Sequence, residues 1–290
     1  MKGAIVVNPF FIPGESVKQA ERLKTEFNIL SVEAEIVSDG YLKTMLMHSK
    51  LYSTLSDYDF IVYLDKDKYL SGVLDSLGVR MFNSHQAIRV CDDKGEKYIA
   101  LSGHGLNLPK TIFGALCYRD EREISSDVSN YIGKALGYPV IVKESFGSMG
   151  KGVYKADSER ELKKIMEQVK LRPHLFQEYI SAKVGVDVRV IVIGGKAVAA
   201  MERYNEGDFR SNVAQGGTGV EITLPKSFKD TAERAAKILG LDYCGVDLLY
   251  GNDGEPYICE VNSNAFFEGI EQTTGINVAK LYAEYVIKSV

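Results

Sequence analysis

The chain has 290 residues, of which 45% are hydrophobic and 26% charged, a composition typical of globular proteins and unlike that of disordered or fibrous chains. Its 35 basic and 39 acidic side chains give a formal net charge of −4, and no block of lysine or arginine indicates a nucleic-acid partner. No apolar run approaches the ~20 residues of a membrane span. The residues after Met1 lack the pattern of a signal peptide, so we expect a cytoplasmic protein without a membrane partner.

The first ninety residues alternate short β-branched runs with helix-like segments. The runs are GAIVVN, SVEAEIV and DFIVYL, and an amphipathic segment, SVKQAERLKTEF, lies between the first two. Strands that alternate with helices predict a parallel sheet. We therefore expect a small α/β domain over residues 1–90.

The rest of the chain divides into two further regions. Residues 91–179 contain predicted strands at KTIFGAL, PVIVK, GVYKA and HLFQEYI, separated by helices, which indicates a compact α+β unit. Residues 180–290 open with two alternating strands about Gly194-Gly195, a pair suited to a tight hairpin turn. A simple two-residue turn there would put Asp187 and Arg203 on opposite faces of the hairpin, whereas a bulge or a longer turn would not.

A glycine-rich loop follows an apolar strand in the segment PVIVKESFGSMGKGVY, residues 139–154. It is not a Walker A loop, because no serine or threonine follows Gly150-Lys151. A glycine loop between antiparallel strands can lie over phosphates, as in kinases, but a flexible hairpin with a solvated lysine would look the same. Lys143, at the end of the apolar strand, favours the first interpretation because a lysine held there usually needs an anion.

A predicted hairpin near the C-terminus, CGVDLLYGNDGEPYICEVNSN, brings two carboxylates together. A two-residue turn at Asp253-Gly254 would set Asp247 opposite Glu260, with Asn262 on the same face as Glu260. Like charges so placed are destabilising, and a hard cation such as Mg²⁺, or Mn²⁺, would neutralise them. The alternatives are a raised pKa on one acid, with a shared proton, or a register slip of one residue. A longer turn would loosen this geometry.

Together these segments resemble a known family. The ATP-grasp carboxylate-amine ligases, and among them the RimK-like glutamate ligases, have a similar succession of motifs: Lys143 with GSMGKGV, then QEYI, GVDVRVIVIGGKAVAAMER, EGDFRSNVAQGG, CGVDLLYGNDGEPYICEVN and GIEQTTGINVA. The similarity runs from about Cys91 to the C-terminus. It implies an ATP-grasp fold with an N-terminal α/β pre-ATP-grasp domain over 1–90, a central lid subdomain over 91–179 and a C-terminal metal-binding subdomain over 180–290.

The resemblance also implies roles for individual residues. Nucleotide binding would fall to Lys94 and Lys143 at the phosphates, Gly147, Ser148 and Gly150 in the covering loop, Gln177, Glu178, Tyr179 and Ile180 near adenine, and Asp187 near the ribose. Arg203, Ser211 and Asn212 would face the transferred phosphate and the acyl intermediate. Asp247, Glu260 and Asn262 would hold magnesium. Against this, isolated arginines such as Arg189, Arg203 and Arg210 are more commonly solvated or ion-paired surface residues.

The implied activity is an ATP- and magnesium-dependent amide ligase that works through an acylphosphate. It would add glutamate or another amino acid to a carboxylate on a small molecule, a peptide or a protein C-terminus. Many enzymes of this type form homo-oligomers, but no stripe in this sequence identifies an interface, so the oligomeric state stays open. The motif after EVNSN reads AFFEGIE, where better-known members have a proline-glycine-leucine type turn, so the acceptor does not follow from the resemblance. Two other functions stay open: an ATP-grasp phosphotransferase acting on a hydroxyl, and a non-catalytic nucleotide sensor.

Overall fold

The computed structural model describes residues 1–10, 14–148, 150–211 and 217–290. In these ranges the strands form three main sheets, of four, four and five strands, and one separate two-stranded hairpin. None of the helices in the described ranges is both long and apolar enough to cross a membrane.

The N-terminal sheet is parallel, as predicted. Its strands are β1 (Lys2–Val7), β2 (Glu33–Val37), β5 (Phe60–Leu64) and β6 (Met81–Phe82), and the helices are α1 (Glu15–Ile29), α2 (Lys68–Ser76) and α3 (His85–Asp92). The hairpin of β3 (Thr44–Met47) and β4 (Lys50–Ser53) stands apart from this sheet. The strand order is β2-β1-β5-β6, so the chain changes direction across the sheet between β1 and β5. The boundary of this domain near residue 90 stays a prediction.

The second sheet carries the glycine loop. Its strands are β7 (Thr111–Phe113), β8 (Val140–Glu144), β9 (Val153–Ala156) and β10 (His174–Glu178), and the neighbouring helices are α4 (Lys94–Leu101), α5 (Ser126–Leu136) and α6 (Glu159–Val169). All its pairings are antiparallel, in the order β7-β10-β8-β9. The loop joins β8 to β9, so Lys143 lies one residue from the end of β8, beside the loop.

The third sheet is antiparallel and separates two apolar cores. Its strands are β11 (Val186–Ile193), β12 (Lys196–Tyr204), β13 (Thr218–Glu221), β14 (Tyr243–Tyr250) and β15 (Pro256–Asn262), and its helices are α7 (Lys226–Ile238), α8 (Glu268–Thr274) and α9 (Val278–Ser289). The strand order is β13-β12-β11-β14-β15. In β11, Val190 packs in the core with α7, whereas the next residue, Ile191, packs in the core shared with α1, α9 and the N-terminal sheet. This alternation is that of a strand buried on both faces.

A bulge decides the register of the first hairpin in this sheet. The turn is at Gly194-Gly195, as predicted, but the pairing of β11 with β12 shifts by one residue between Ile191 and Val192. The shift sets Asp187 directly opposite Arg203. The two side chains therefore share a face, whereas the turn alone would have separated them.

The two-residue turn predicted at Asp253-Gly254 in the second hairpin is wrong. The turn spans five residues, 251–255, and a hydrogen bond of 2.8 Å joins the N–H of the first to the carbonyl of the last. The register shifts back by one residue between Asp247 and Leu248, with Cys259 as the extra residue of β15. The two deviations cancel, so Asp247 lies opposite Glu260 as predicted, without a register slip.

Asn83 joins the N-terminal sheet to the third sheet. This buried amide donates from Nδ2 to the carbonyls of Tyr243 and Ser263, both at 2.8 Å, and its Oδ1 accepts from the N–H groups of Asp242 at 2.7 Å and Tyr243 at 3.0 Å. Four backbone groups depend on one side chain, so Asn83 stabilises the contact between these two sheets.

We expect Asn83→Ala to lower the free energy of unfolding by roughly 3–5 kcal/mol, because each buried polar group left without a partner costs about 1–3 kcal/mol. Equilibrium unfolding in urea measures the change, with Asn28→Ala, at an exposed position of α1, as the control. A loss below about 1 kcal/mol would mean that water or neighbouring groups replace these bonds.

Candidate active site

A cleft between the second and third sheets gathers most of the predicted site residues. Its walls are the end of β8 with the glycine loop, the segment after β10, and the facing ends of β11, β14 and β15. The predicted residues that line it are Lys94, Lys143, Gly147, Ser148, Gly150, Gln177, Glu178, Tyr179, Ile180, Asp187, Ser211, Asp247 and Glu260. Segments far apart in sequence therefore meet at one place.

A second cavity adjoins the cleft on the side of the N-terminal sheet. It is lined by Arg203 and Asn262, by residues of α1 and α8, and by the residues that follow β1 and β5. Ser148 and Glu260 line both cavities, so the cleft and the second cavity meet there. Asn212, the remaining predicted site residue, lies outside the described residues.

Lys143 is buried in the wall of the cleft, and no carboxylate of the described residues is in contact with it. Its Nζ lies 4.0 Å from Cys259 Sγ and 5.9 Å from the centre of the Tyr98 ring. Within the described ranges, no carboxylate oxygen lies within 4.0 Å of this ammonium group. Burial acts to lower the pKa of Lys143, but Cys259, Tyr98 and Glu260 outweigh it and raise the pKa, so the lysine is charged. A buried ammonium group with no carboxylate in contact favours an anionic ligand.

Lys94 lies beside Lys143 at the first turn of α4. Its Nζ donates to the carbonyl of Gly147 at 3.0 Å and lies 3.9 Å from Glu260 Oε1. Burial lowers the pKa of Lys94 to about 8, and the nearby Glu260 only partly offsets this effect. The lysine therefore links the glycine loop to the predicted metal site.

Two arginines and two aspartates form a buried ion-pair network behind the cleft. Arg203, only 2% exposed, binds Asp187 through Nε at 2.8 Å and Nη2 at 2.5 Å, and its Nη2 also contacts Asp247 at 3.0 Å. Arg189 binds Asp247 through Nε at 2.7 Å and Nη2 at 2.6 Å. Two-point pairs of this kind fix the orientation of both partners. The reading of Arg203 as a surface residue is therefore wrong, and Arg189 is partly buried and ion-paired.

Both carboxylates of the predicted metal site are ionised at neutral pH. Burial acts to raise the pKa of Asp247, but Arg189 and Arg203 outweigh it and lower the pKa to about 2. Burial acts in the same way on Glu260, and the ammonium groups of Lys97 and Lys94 outweigh it and lower the pKa. The alternative of a raised pKa and a shared proton is therefore wrong.

Positive charge exceeds negative charge at this centre. The cationic side chains are Lys94, Lys97, Lys143, Arg189 and Arg203, and the carboxylates among them are Asp187, Asp247 and Glu260. A pocket with this excess attracts a polyanion, because its low-dielectric walls concentrate the field.

The oxygen donors at Asp247, Glu260 and Asn262 fit a magnesium ion. Within the described residues, no group of three His, Cys, Asp or Glu side chains is placed to hold a metal, so a site here would combine two carboxylates, one amide and oxygens from a substrate. That donor set suits Mg²⁺, which usually takes one or two carboxylates and completes its shell with phosphates and water. Asp247 already binds two arginines, but a carboxylate has about four lone-pair sites and retains capacity.

The segment after β10 offers backbone groups at the other end of the cleft. Glu178 N–H donates to the carbonyl of Lys110 at 3.0 Å, whereas the N–H groups of Tyr179 and Ile180 make no backbone hydrogen bond within the described ranges. The Tyr179 ring meets Phe209 edge to face, with 6.4 Å between ring centres. Backbone donors beside an aromatic ring match the needs of a flat heterocycle.

Two predicted nucleotide contacts also have structural partners. Gln177 is buried and donates from Nε2 to Thr111 Oγ1 at 2.9 Å, which holds its amide within the second sheet. Glu178 Oε1 accepts from the N–H of Lys110 at 2.8 Å. Ser211 is buried in the cleft wall.

The sequence interpretation gave no role to Lys97 and left Arg189 and Arg210 unassigned. Lys97 Nζ donates to the carbonyls of Cys91 at 3.2 Å and Val261 at 2.9 Å. Arg210 Nη1 donates to the carbonyl of Gly150 at 3.0 Å and so ties the third region to the glycine loop. Helical spacing was the available signal for Lys97, three residues after Lys94 on one helix, and strand alternation was the signal for Arg189, two residues after Asp187.

Comparison with known proteins identifies the family to which this chain belongs. Residues 91–286 match the family model described as the RimK-like ATP-grasp domain. The chain belongs to the RimK-like ATP-grasp family. This RimK-like protein is 38% identical over 218 residues to the "Probable alpha-L-glutamate ligase" of Maridesulfovibrio salexigens, covering 74% of this chain and 69% of that one.

Two vertebrate relatives are longer. The RimK-like chain is 35% identical over 229 residues to "Beta-citrylglutamate synthase B" of Danio rerio and 34% identical over 228 residues to "N-acetylaspartylglutamate synthase A" of Homo sapiens. Each match covers 78% of this chain. The chain spans about half the length of these relatives, 55% and 57% respectively.

The solved structures confirm the predicted ATP-grasp fold. The D-alanine–D-alanine ligase of Bacillus anthracis, solved in complex with ATP, aligns with a TM-score of 0.74 over 99% of this RimK-like chain and 96% of its own. Its sequence identity is 19%, so this likeness concerns the fold alone.

Proposed function

We propose that this protein is an ATP- and magnesium-dependent ligase that joins a carboxylate to an amine through an acylphosphate. The observation that carries the proposal is the meeting of the two cavities at Ser148 and Glu260. A phosphate bound beside Lys94 and Lys143 in the cleft would there face a substrate in the second cavity. Kinship with proteins named glutamate ligases and synthases favours glutamate, or another amino acid, as the amine.

ATP would lie in the cleft with its adenine near Tyr179 and Ile180 and its phosphates beside the two buried lysines. Lys143 supports this direction because its ammonium group lacks a carboxylate partner within the described residues. Gly147 has a φ of 135°, and a Cβ there would lie 3.2 Å from the carbonyl of Lys151. This glycine therefore lets the loop backbone fold closely over a phosphate.

The reaction would proceed in two displacements. A substrate carboxylate attacks the γ-phosphorus of ATP, and the bond to the β,γ-bridging oxygen breaks to give an acylphosphate and ADP. The amine then attacks the acyl carbon, a C–N bond forms, inorganic phosphate leaves, and the nitrogen gives up its proton. Arg203 and Arg189, held by Asp187 and Asp247, lie where negative charge grows in both steps, and fixed cations at such points lower the barrier.

Magnesium bound by Asp247, Glu260 and Asn262 would neutralise charge on the phosphate oxygens during transfer. The glycine loop, tied to the third region through Arg210, would exclude water from the acylphosphate. The roles of Ser211 and Asn212 at the transferred phosphate remain part of this proposal.

The test is to incubate the purified protein with ATP, Mg²⁺ and pooled amino acids and carboxylate metabolites, and to follow ADP release and new masses together. A ligase gives products heavier by one amino-acid residue, and it releases phosphate only when both a carboxylate and an amine are present. A stable phosphoester formed without any amine would replace the proposal with a phosphotransferase. ATP binding without turnover would replace it with a nucleotide sensor.

Lys143→Met should weaken binding of ADP with Mg²⁺ by roughly 10- to 100-fold, because hydrogen bonds from a charged group contribute about 1.5–3 kcal/mol. Isothermal titration calorimetry measures this affinity. Lys164→Met, at an exposed position of α6, is the matched control and should bind ADP like the wild type. Unchanged affinity in Lys143→Met would show that the phosphates lie elsewhere.

A further inference from the structure

The N-terminal sheet presents two polar residues to the second cavity at its topological switch point. Asn8 directly follows β1 and Asp65 directly follows β5, and these neighbouring parallel strands are those between which the strand order reverses. Asn8 Nδ2 donates to both carboxylate oxygens of Asp65, at 3.2 and 3.1 Å, and both residues line the cavity. In open parallel sheets, ligands bind beyond the carboxyl ends of the strands at this point.

Asp65 lacks a counter-charge within the described residues. The other charged side chains of the cavity wall have partners of opposite charge: Lys18 with Glu268, Arg22 with Glu271, Lys66 with Asp92, Arg189 and Arg203 with Asp247, and Glu260 with Lys94. Within the described residues, the hydrogen bonds to Asp65 come from Asn8, from the N–H of Lys66 at 2.7 Å and from the backbone of Asp67, and none of these groups carries a compensating charge. Because no positive charge of the described residues offsets the effect of burial, burial raises the pKa of the Asp65 carboxyl group. A bound cation would stabilise the ionised carboxylate.

The wall of the same cavity also contains buried side-chain oxygen atoms that have no hydrogen-bond partner in the part of the chain that the structure describes. Ser16 and Gln19, on the first turns of α1, are each 4% exposed, and Ser16 Oγ and Gln19 Oε1 have no hydrogen-bond partner in the described structure. Asn264 Oδ1, in the wall of the same cavity, also has no hydrogen-bond partner among the described residues. Buried polar atoms are rarely left unpaired, and every one of these oxygens can accept a hydrogen bond.

We propose that Asp65, Asn8, Ser16 and Gln19 form a subsite, here called the N-terminal subsite, that binds the primary ammonium group of a substrate. An ammonium group has three N–H donors and one positive charge, which match the unpartnered oxygens and the uncompensated carboxylate. The inference rests on the proposed ligase function and names the substrate class of its second cavity. The ammonium group belongs either to the amine substrate or to a carboxylate substrate that is itself an amino acid or peptide.

The first experiment measures binding directly. The protein saturated with ADP and Mg²⁺ is screened by thermal shift against the L-amino acids, and each amino acid that binds is compared with the analogue that lacks the ammonium group, such as glutarate for L-glutamate. We expect at least one amino acid to bind and its analogue to fail. Asp65→Asn, which is isosteric and keeps an oxygen facing Asn8, should weaken that binding roughly 10- to 100-fold. Asp75→Asn, at an exposed position of α2, makes the same change of charge as a control.

Ser16→Ala separates binding from folding. Because Ser16 Oγ has no partner in the described structure, its removal should leave the melting temperature unchanged or raise it, yet it should weaken binding of the same amino acid. The subsite would be overturned if Ser16→Ala and Asp65→Asn bound the amino acid as tightly as the wild type does. It would also be overturned if the analogue bound as tightly as the amino acid.

Kinetics then identify the source of the ammonium group and separate this inference from the proposed function. In a ligase, Asp65→Asn should raise the KM of the amine substrate or of the carboxylate substrate, whichever carries the bound ammonium group, and leave the KM of ATP unchanged. Turnover with both KM values unchanged would overturn the subsite while the ligase stands. Binding that is lost in Asp65→Asn, in a protein that never turns over ATP, would support the subsite while the ligase fails.

Discussion

Glu260→Gln should lower kcat on the order of 10²–10³-fold, the loss typical of removing one preorganised group that stabilises charge in a transition state. Glu260 lies where the cleft and the second cavity meet. The substitution removes a carboxylate from the proposed magnesium site and also removes the anion nearest to Lys94, at 3.9 Å. Both effects act where phosphate would be transferred.

Folding should change little in this variant. Glu260 is partly exposed, its contact with Lys94 is long, and the pKa of Lys94 is already lowered to about 8, so Lys94 can lose its proton. Lys97, the other cation that lowers the pKa of Glu260, keeps its hydrogen bonds to the carbonyls of Cys91 and Val261. We expect a loss of about 1 kcal/mol or less in the free energy of unfolding, the range of a weak ion pair.

The measurement is steady-state ADP release as a function of Mg²⁺ concentration, repeated with Mn²⁺. Glu255→Gln is the matched control, since this substitution makes the same chemical change at an exposed position in the turn of the same hairpin. Full activity of Glu260→Gln at every Mg²⁺ concentration would exclude the metal assignment. Low activity together with a collapsed unfolding transition would show that Glu260 acts in folding instead.

Most of the strands were readable because the apolar pattern reports them directly, whereas their order in the sheets was not predicted. The runs GAIVVN and DFIVYL became β1 and β5, since a strand buried on both faces needs a continuous apolar run. Bulges were not readable, because nothing in the local sequence marks Cys259 as an extra residue of β15. The pairing of Asp247 with Glu260 was thus predicted correctly from an incorrect two-residue turn. The longer turn shifts the register by one residue, and the bulge, which was not predicted, shifts it back.

Side-chain partners beyond the hairpins depended on long-range packing. Asn83 bonds to residues about 160 positions later in the chain, and Asp65 and Gln19 line one cavity only because the end of β5 and α1 both border it. The environment of charged side chains was also not readable. In a sequence, an arginine on a strand has the same pattern whether it is solvated or, like Arg203, buried between two aspartates. The N-terminal subsite was missed for this reason, since no motif in residues 1–90 distinguishes its members.

Arg203→Met should be strongly destabilising, with a loss of roughly 3–5 kcal/mol in the free energy of unfolding, because breaking a buried ion pair leaves charges without compensation. Asp187 loses both of its described charged contacts, at 2.8 and 2.5 Å, whereas Asp247 retains Arg189. Activity should fall with stability, since Arg203 lies in the wall of the second cavity. Urea unfolding measures the loss, with Arg160→Met, at an exposed position of α6, as the control.

A double-mutant cycle separates the orphaned charge from the lost packing. Arg203→Met leaves the Asp187 carboxylate without a counter-charge, and Asp187→Asn removes that charge. The double variant should therefore lose about 1–3 kcal/mol less stability than the sum of the losses in the two single variants. Additive losses would mean that water reaches Asp187 and that the network contributes little to folding. Catalysis should not recover in the double variant, because the regained stability does not replace the guanidinium group that lines the second cavity.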